Sequence, residues 1–127
     1  MIVLDASVLI AHLDEGDEHH ARATRMLEYE SDALFGASSI TVAEVLVGPA
    51  RTGRLEEGRA ALVTLGLHEV ALGADAAWRL AELHAGTGLK LPDCCVLLAA
   101  QEAQADALVS FDDRLVGAAG RLGVAVR

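Results

Sequence analysis

Aromatic residues are scarce: two Phe, one Trp and one Tyr make up 3% of the 127 residues. The core must therefore be aliphatic, built from Leu, Val and much Ala. A platform of several exposed rings, which sequence-tolerant single-strand binders need, is excluded. Basic residues are also few, 10 Lys and Arg against 19 Asp and Glu, giving a formal net charge of −9. Nucleic-acid binding usually shows a basic excess, so the global balance argues against a polyanionic ligand. Carboxylates gathered for a cation would contribute to the same imbalance, and composition leaves both readings open. Cysteine is confined to the adjacent Cys94 and Cys95, which cannot bridge distant parts of the chain or supply CxxC metal spacing. They read as small core hydrophobes. No apolar run approaches the roughly 18 residues of a membrane span. The opening Met1-Ile2-Val3-Leu4-Asp5 has neither the basic stretch nor the cleavage site of a secretory signal. A soluble, cytoplasmic protein with no membrane association is expected.

Apolar content is ample, 53% hydrophobic against 23% charged, which excludes a disordered or low-complexity chain. The length suits a single domain over 1–127. Ile2–Leu4, a short apolar run ending at Asp5, reads as a buried strand. Helices are expected over Ser7–Leu13 and Glu18–Tyr29, then a strand over Ala33–Ala37. From Ile40 a 3.6-residue apolar pattern through Ala43 and Val47 starts a helix, bent or ended near Gly48-Pro49. A helix over Arg54–Leu65, a strand over Leu67–Leu72 and a helix over Ala74–Ala85 follow. Pro92 suits an early helical position, and Asp93–Ala103 continues that helix. Ala107–Val109 reads as a strand, Asp112–Ala119 as a helix and Gly123–Val126 as a closing strand. Short apolar strands alternating with helices imply an α/β fold: three layers, α/β/α, around a mostly parallel sheet of about five strands.

In such sheets the ligand site lies beyond the carboxyl ends of the strands. Asp5 directly follows the first strand, and Asp112 follows the strand at Ala107–Val109 by one short step. Glu44 and Asp93 lie early in the helices expected after the second strand and after Leu91-Pro92. Each acid taken alone has a capping explanation, because carboxylates near helix N-termini gain about 0.3–1 kcal/mol from the macrodipole. Thr41-Val42-Ala43-Glu44 and Ser110-Phe111-Asp112-Asp113 both fit a capping box, and Ser7 has a plain N-capping role open to it. The set favours a different account. Carboxylates brought together raise one another's pKa, and a hard divalent cation relieves that cost. Replacing Asp5 or Asp93 by Asn should relieve it as well, leaving the fold intact or more stable.

The string Val3-Leu4-Asp5-Ala6-Ser7-Val8-Leu9 resembles the opening motif of PIN-domain ribonucleases. Thr41-Val42-Ala43-Glu44 is similar to their second motif, and Leu91-Pro92-Asp93-Cys94 to their third, where a small residue more often follows the Asp. Val109-Ser110-Phe111-Asp112 resembles their fourth, with Ser110 where Thr is commoner. The motifs come in order along essentially the whole chain, and the compact size looks like the VapC-type toxins of bacterial toxin–antitoxin pairs. The resemblance implies an endoribonuclease using Mg²⁺ or Mn²⁺ held by Asp5, Glu44, Asp93 and Asp112. Ser7 and Ser110 would orient carboxylates or water, and Asp113 competes with Asp112 for the inward position. It also implies an RNA substrate, a small VapB-type antitoxin as partner and a homodimer.

A haloacid dehalogenase-like phosphatase would need a second acid two residues after Asp5, where Ser7 stands. A receiver-type signalling domain would need a Lys beyond a late strand, but the lone Lys90 precedes the Pro92 helix. A catalytically weak PIN domain that only binds a protein partner is the third alternative, and intact acids at all four motifs speak against it. His12, His19, His20, His68 and His84 form no convincing ligand set and read as surface or core packing. Trp78, on an Ala-rich face, reads as core or interface. Arg22 with Arg25, Arg51 with Arg54, and Arg114 with Arg121 could supply local phosphate contacts, or stand as ordinary helix surface.

Overall fold

A computed structural model describes all of residues 1–127. Strand β1 (Ile2–Leu4) leads into helices α1 (Ala6–Leu13) and α2 (His20–Tyr29), then β2 (Phe35–Ser38). Helices α3 (Ser39–Arg51) and α4 (Leu55–Leu65) precede β3 (His68–Val70). Helices α5 (Ala76–Thr87) and α6 (Leu91–Glu102), strand β4 (Ala107–Val109) and helix α7 (Asp113–Arg121) complete the chain. The sheet runs β3-β2-β1-β4, and every pairing is parallel. All four strands therefore discharge the chain at one edge, which is where a site can assemble.

Successive residues of a strand point to opposite faces, and β1 shows what that alternation builds. Ile2 and Leu4 join a core with Leu9, Leu27, Phe35 and Leu62 on one face. Val3 joins Leu97, Leu108 and Leu115 on the other. A sheet buried on both faces needs no polar alternation, which explains the wholly apolar Ile2-Val3-Leu4. Cys94 and Cys95 are free and buried in α6, as expected of small core residues. No helix is long and apolar enough to cross a membrane.

The sheet has four strands where the sequence suggests about five. The segment after α7 makes only one bridge, Leu108 to Val126. Leu108 N–H donates to Ala125 O and its carbonyl accepts from Arg127 N–H. Helix α7 runs on to Arg121, and the turn at Gly123, with φ of +75°, consumes the residues that a longer strand would use. Strand β3 is likewise shorter than Leu67–Leu72. Its partner β2 offers only Gly36 to Ser38 before the chain turns into α3. Helix α3 does not end at Gly48-Pro49 but continues to Arg51. A Cβ on Gly58 of α4 would stand 3.1 Å from the Pro49 ring, so Gly58 lets the two helices pack across that proline. Trp78 is not core: it is 74% exposed, its Nε1–H donating to Glu82 of the same helix. Leu80 and Leu83 take the packed side of α5, which turns Trp78, Ala81 and Ala85 outward.

Gly36 is the tightest point of the sheet. A Cβ there would stand 2.5 Å from Met1 Sδ and 2.9 Å from Val70 Cγ2. The Met1 side chain can move aside, but Val70 is held in β3. Gly36→Ala should therefore lower stability by about 1–3 kcal/mol through overpacking, read as a reduced midpoint in urea with an unchanged slope. A variant as stable as wild type would show that β3 yields freely.

Candidate active site

Asp5 closes β1 and opens α1, and it is only 7% exposed. A buried carboxylate must be hydrogen-bonded, and this one accepts from three donors. Ala6 N–H donates to Oδ1 at 2.8 Å. The hydroxyls of Ser7 and Ser110 donate to Oδ2 at 2.8 and 2.7 Å. Each hydroxyl also accepts from the loop between β4 and α7: Ser7 Oγ from Phe111 N–H at 3.1 Å, Ser110 Oγ from Asp112 N–H at 2.9 Å. Two serines thus tie the end of β1 to the end of β4. Both do what an orienting residue does, and neither caps a helix. The caps are Asp5 itself for α1 and Asp112 for α7. Asp112 Oδ1 accepts from Arg114 N–H at 2.9 Å and Leu115 N–H at 3.4 Å. The expected capping box at Ser110 is accordingly displaced by two residues. Asp113 is the first residue of α7 and exposed.

The box expected at Thr41 is displaced too. Strand β2 passes into α3 without a loop, so Ser38 is the cap, accepting from Thr41 N–H at 3.1 Å. The Ser38 and Thr41 hydroxyls pair at 3.1 Å, both fully buried. Glu44 then falls in the second turn of α3, exposed to solvent. Asp93 lies in the first turn of α6, half-buried behind Pro92.

These acids feel one another. Burial first, then the charges of Asp5 and Asp93, hold Glu44 above the usual carboxylate range. Burial, then Asp5 and Asp112, raise Asp93, while Lys90 and Arg114 pull it back. Lys90, the residue before α6, carried no sequence signal as a neighbour of the acids. Histidine is not involved: His12 faces Thr24, while His20 and His84 face backbone carbonyls. Burial holds the Cys94 and Cys95 thiols up, so they are poor thiolate ligands. An all-carboxylate donor set in which burial and neighbouring charge raise the pKa of Glu44 and Asp93 is chemically suited to a hard divalent cation. The side chains stand apart, with no three already converging on a ligand cage. The largest concavity, about 450 Å³, lies elsewhere, between the end of α1 and helices α3 and α4. A smaller one, about 240 Å³, takes in Glu44 with Ile10, Leu13 and Val45, while Asp93 and Asp112 are half-buried at the sheet edge.

Comparison with known proteins gives a consistent picture. The PIN domain family model matches residues 2–120. No curated protein matches the chain in sequence. Among solved structures, a toxin–antitoxin complex from Klebsiella pneumoniae is 28% identical, with 88% of this chain and 87% of that one covered and a TM-score of 0.73. VapBC2 from Rickettsia felis, bound to a promoter DNA fragment, is 17% identical over 100% of this chain and 98% of that one, TM-score 0.73. Mycobacterium tuberculosis VapC20, a sarcin–ricin loop cleaving toxin, is 19% identical over 93% and 95%, TM-score 0.71. The last two likenesses are of fold alone.

The raised Asp93 makes a prediction about pH. Above its folded pKa the charged group costs stability. That cost is relieved as pH falls through the folded value and is gone below the unfolded one, because the folded state then binds the extra proton. His12 works the opposite way, since burial and His20 lower its pKa. A difference measurement isolates the carboxylate. In EDTA, Asp93→Asn should melt higher than wild type at pH 7, with the gap shrinking as pH falls through the raised folded pKa of Asp93 and gone below its ordinary value. A gap that is constant or widens on acidification would show that Asp93 is not under this repulsion.

Proposed function

The chain belongs to the PIN domain family, and on that premise we propose that it is a divalent-cation-dependent endoribonuclease, the toxin of a toxin–antitoxin pair. The observation that carries this reading is Asp5, buried at the sheet edge under three donors, with Asp93, Asp112 and Glu44 within range of its charge network. Asp5, Asp93 and Asp112 would hold Mg²⁺ or Mn²⁺. When bound, such an ion acidifies an attacking water and offsets charge on the scissile phosphate and its leaving oxygen.

The chain's own groups do the rest. Ser7 and Ser110 donate both their protons to Asp5 Oδ2, leaving that carboxylate one orientation. Asp112 has Oδ1 spent on the start of α7, so Oδ2 is the oxygen it offers the site. Glu44, exposed and raised in pKa, is the carboxylate suited to position the nucleophilic water and take up its proton. Asp113 lies one residue further on and serves only through its field.

The likeness to toxin–antitoxin complexes supports the toxin assignment and a small antitoxin partner of the VapB kind. An Arg or Lys of that partner entering the acidic edge would silence the enzyme by pairing with Asp5, Asp93 or Asp112. The outward face of α5, with Trp78 at its centre, is available to a second copy in a homodimer. One domain over 1–127, working on RNA in the cytoplasm, is the whole of the proposal.

Two substitutions separate chemistry from stability. Asp93→Asn should abolish Mn²⁺-dependent cleavage of a fluorescent RNA and sharply weaken Mn²⁺ binding by calorimetry while raising the melting temperature without metal. Asp5→Asn should abolish cleavage too, but at a stability cost of about 1–3 kcal/mol, because an amide nitrogen cannot accept the bonds that a carboxylate oxygen does. The three bonds that Asp5 accepts argue for this cost, against the expectation that Asp5→Asn leaves the fold intact or more stable. Unchanged Mn²⁺ affinity in both variants would place the metal elsewhere. Wild type that turns over no RNA with Mn²⁺ would favour a PIN domain that only binds its partner.

A further inference from the structure

Of the ten Lys and Arg, Arg54, Arg59, Arg79 and Arg127 are in ion pairs with carboxylates. Arg22, on the first turn of α2, is held differently. It is exposed, and its guanidinium carbon lies 4.8 Å from the centroid of the Phe111 ring. The His19 imidazole lies against the same ring, centroids 4.9 Å apart and planes at 39°. The Glu18 carboxylate nearby is turned to His19 Nε2, at 3.3 Å.

A guanidinium seated over a ring keeps its charge and its in-plane N–H donors, since the contact uses the cation and not the hydrogen-bonding edge. Phe111 therefore gives Arg22 a seat without an acid to neutralise it. Other cations also lack an acid, but Arg22 is the one seated on an aromatic ring. The ring's own position is set by the site. Phe111 stands between Ser110 and Asp112, and its N–H donates to the Ser7 hydroxyl that holds Asp5. A flat fork with free donors is the geometry that grips a phosphate in bidentate fashion. A strand that brings one phosphate to a cluster of acids needs cations for its neighbouring phosphates.

We propose that Arg22, seated on Phe111 beside His19, is a phosphate clamp that holds the RNA strand next to the carboxylate edge. The strand's identity rests on the ribonuclease reading above. The clamp accounts for an acidic protein engaging a polyanion through one placed guanidinium at the rim of the site. Lys90 and Arg114, which flank Asp93, extend the same cationic border.

The test is fluorescence anisotropy of a labelled single-stranded RNA dodecamer, titrated with Asp93→Asn protein so that no strand is cut. Adding Arg22→Ala should weaken binding several-fold and flatten the slope of log K against log salt by about 0.7, the loss of one phosphate contact to a single strand. Arg22→Lys should keep the slope. Phe111→Leu should keep the slope and lose affinity, its fold checked by thermal melting. Arg51→Ala, an unpaired cation at the far end of α3, should change neither. Arg22→Ala with unaltered affinity and slope would overturn the clamp and leave the guanidinium for a carboxylate of a protein partner. Equal flattening by Arg51→Ala and Arg22→Ala would overturn it as general charge, as would salt-independent binding by the Asp93→Asn protein. The ribonuclease reading fails separately: wild type that cuts no RNA with Mn²⁺, while the Arg22 effect persists, would sink the nuclease and keep the clamp.

Discussion

Everything at the functional edge hangs on one buried carboxylate. Asp5 sits where two parallel strands end side by side, and its oxygens are shared among a backbone N–H and two hydroxyls. Those bonds cost the chain freedom at two places 105 residues apart in sequence, since Ser110 and Asp5 must be held together for either to be satisfied. A half-satisfied network would be worse than an apolar core, because the unpaired charge would remain buried. The loop after β4 is therefore as fixed as the strand it follows. Asp112 inherits its position from that constraint through its own N–H on Ser110.

The sheet makes this possible. Strands β1 and β4, three residues each and wholly buried, carry nothing but Ile, Val, Leu and Ala, and β2 is buried throughout, while the edge strand β3 exposes His68 and Glu69. In the central strands β1 and β4, polar side chains appear only where the strands stop. All strands point one way, so those stopping places coincide, and the polar groups of Asp5, Ser38 and Ser110 gather at one edge of an apolar slab. Burial, and then the charges of their neighbours, raise the pKa of Glu44 and Asp93 at that edge. The resulting repulsion is an energetic debt of the metal-free state that a cation would remove.

Much of this was readable in the sequence, for identifiable reasons. Alternation of short apolar runs with helical patterns gave the layered parallel fold. The acid after Ile2-Val3-Leu4 was conspicuous because nothing in strand propensity favours a carboxylate there. Ser7 and Ser110 were suspected as orienting groups on motif position alone. What could not be read was which atom each hydroxyl serves, because short polar residues near a helix start fit a cap as well as a tertiary bond. The displaced caps at Ser38 and Asp112 are the same ambiguity: β2 enters α3 with no intervening loop, and no local signal marks that junction. For Trp78 the choice between core and interface was open in the sequence because an Ala-rich face looks apolar whichever way it points, and the packing of Leu80 and Leu83 excludes the core. The meeting of Arg22 with Phe111 is purely tertiary, and spacing along the chain has nothing to say about it.

The net charge of −9 argued against a polyanionic ligand, and the structure shows why that argument is weak. Charges separated by more than about 8 Å at physiological salt are largely screened from one another, so an incoming phosphate responds to its immediate neighbours. Glu56 and Glu57 on α4 are already matched by Arg59 and Arg54, and Glu30 by Arg127. None of these pairs adds much field at the functional edge. There the balance is set by Asp5, Asp93, Asp112 and Glu44 on one side and by Lys90, Arg114 and Arg22 on the other. A divalent cation held among these acids, as proposed above, would offset much of the negative charge that a phosphate meets. On the ribonuclease reading proposed above, the same carboxylates that weaken the approach of RNA without metal would favour it once a cation is held among them.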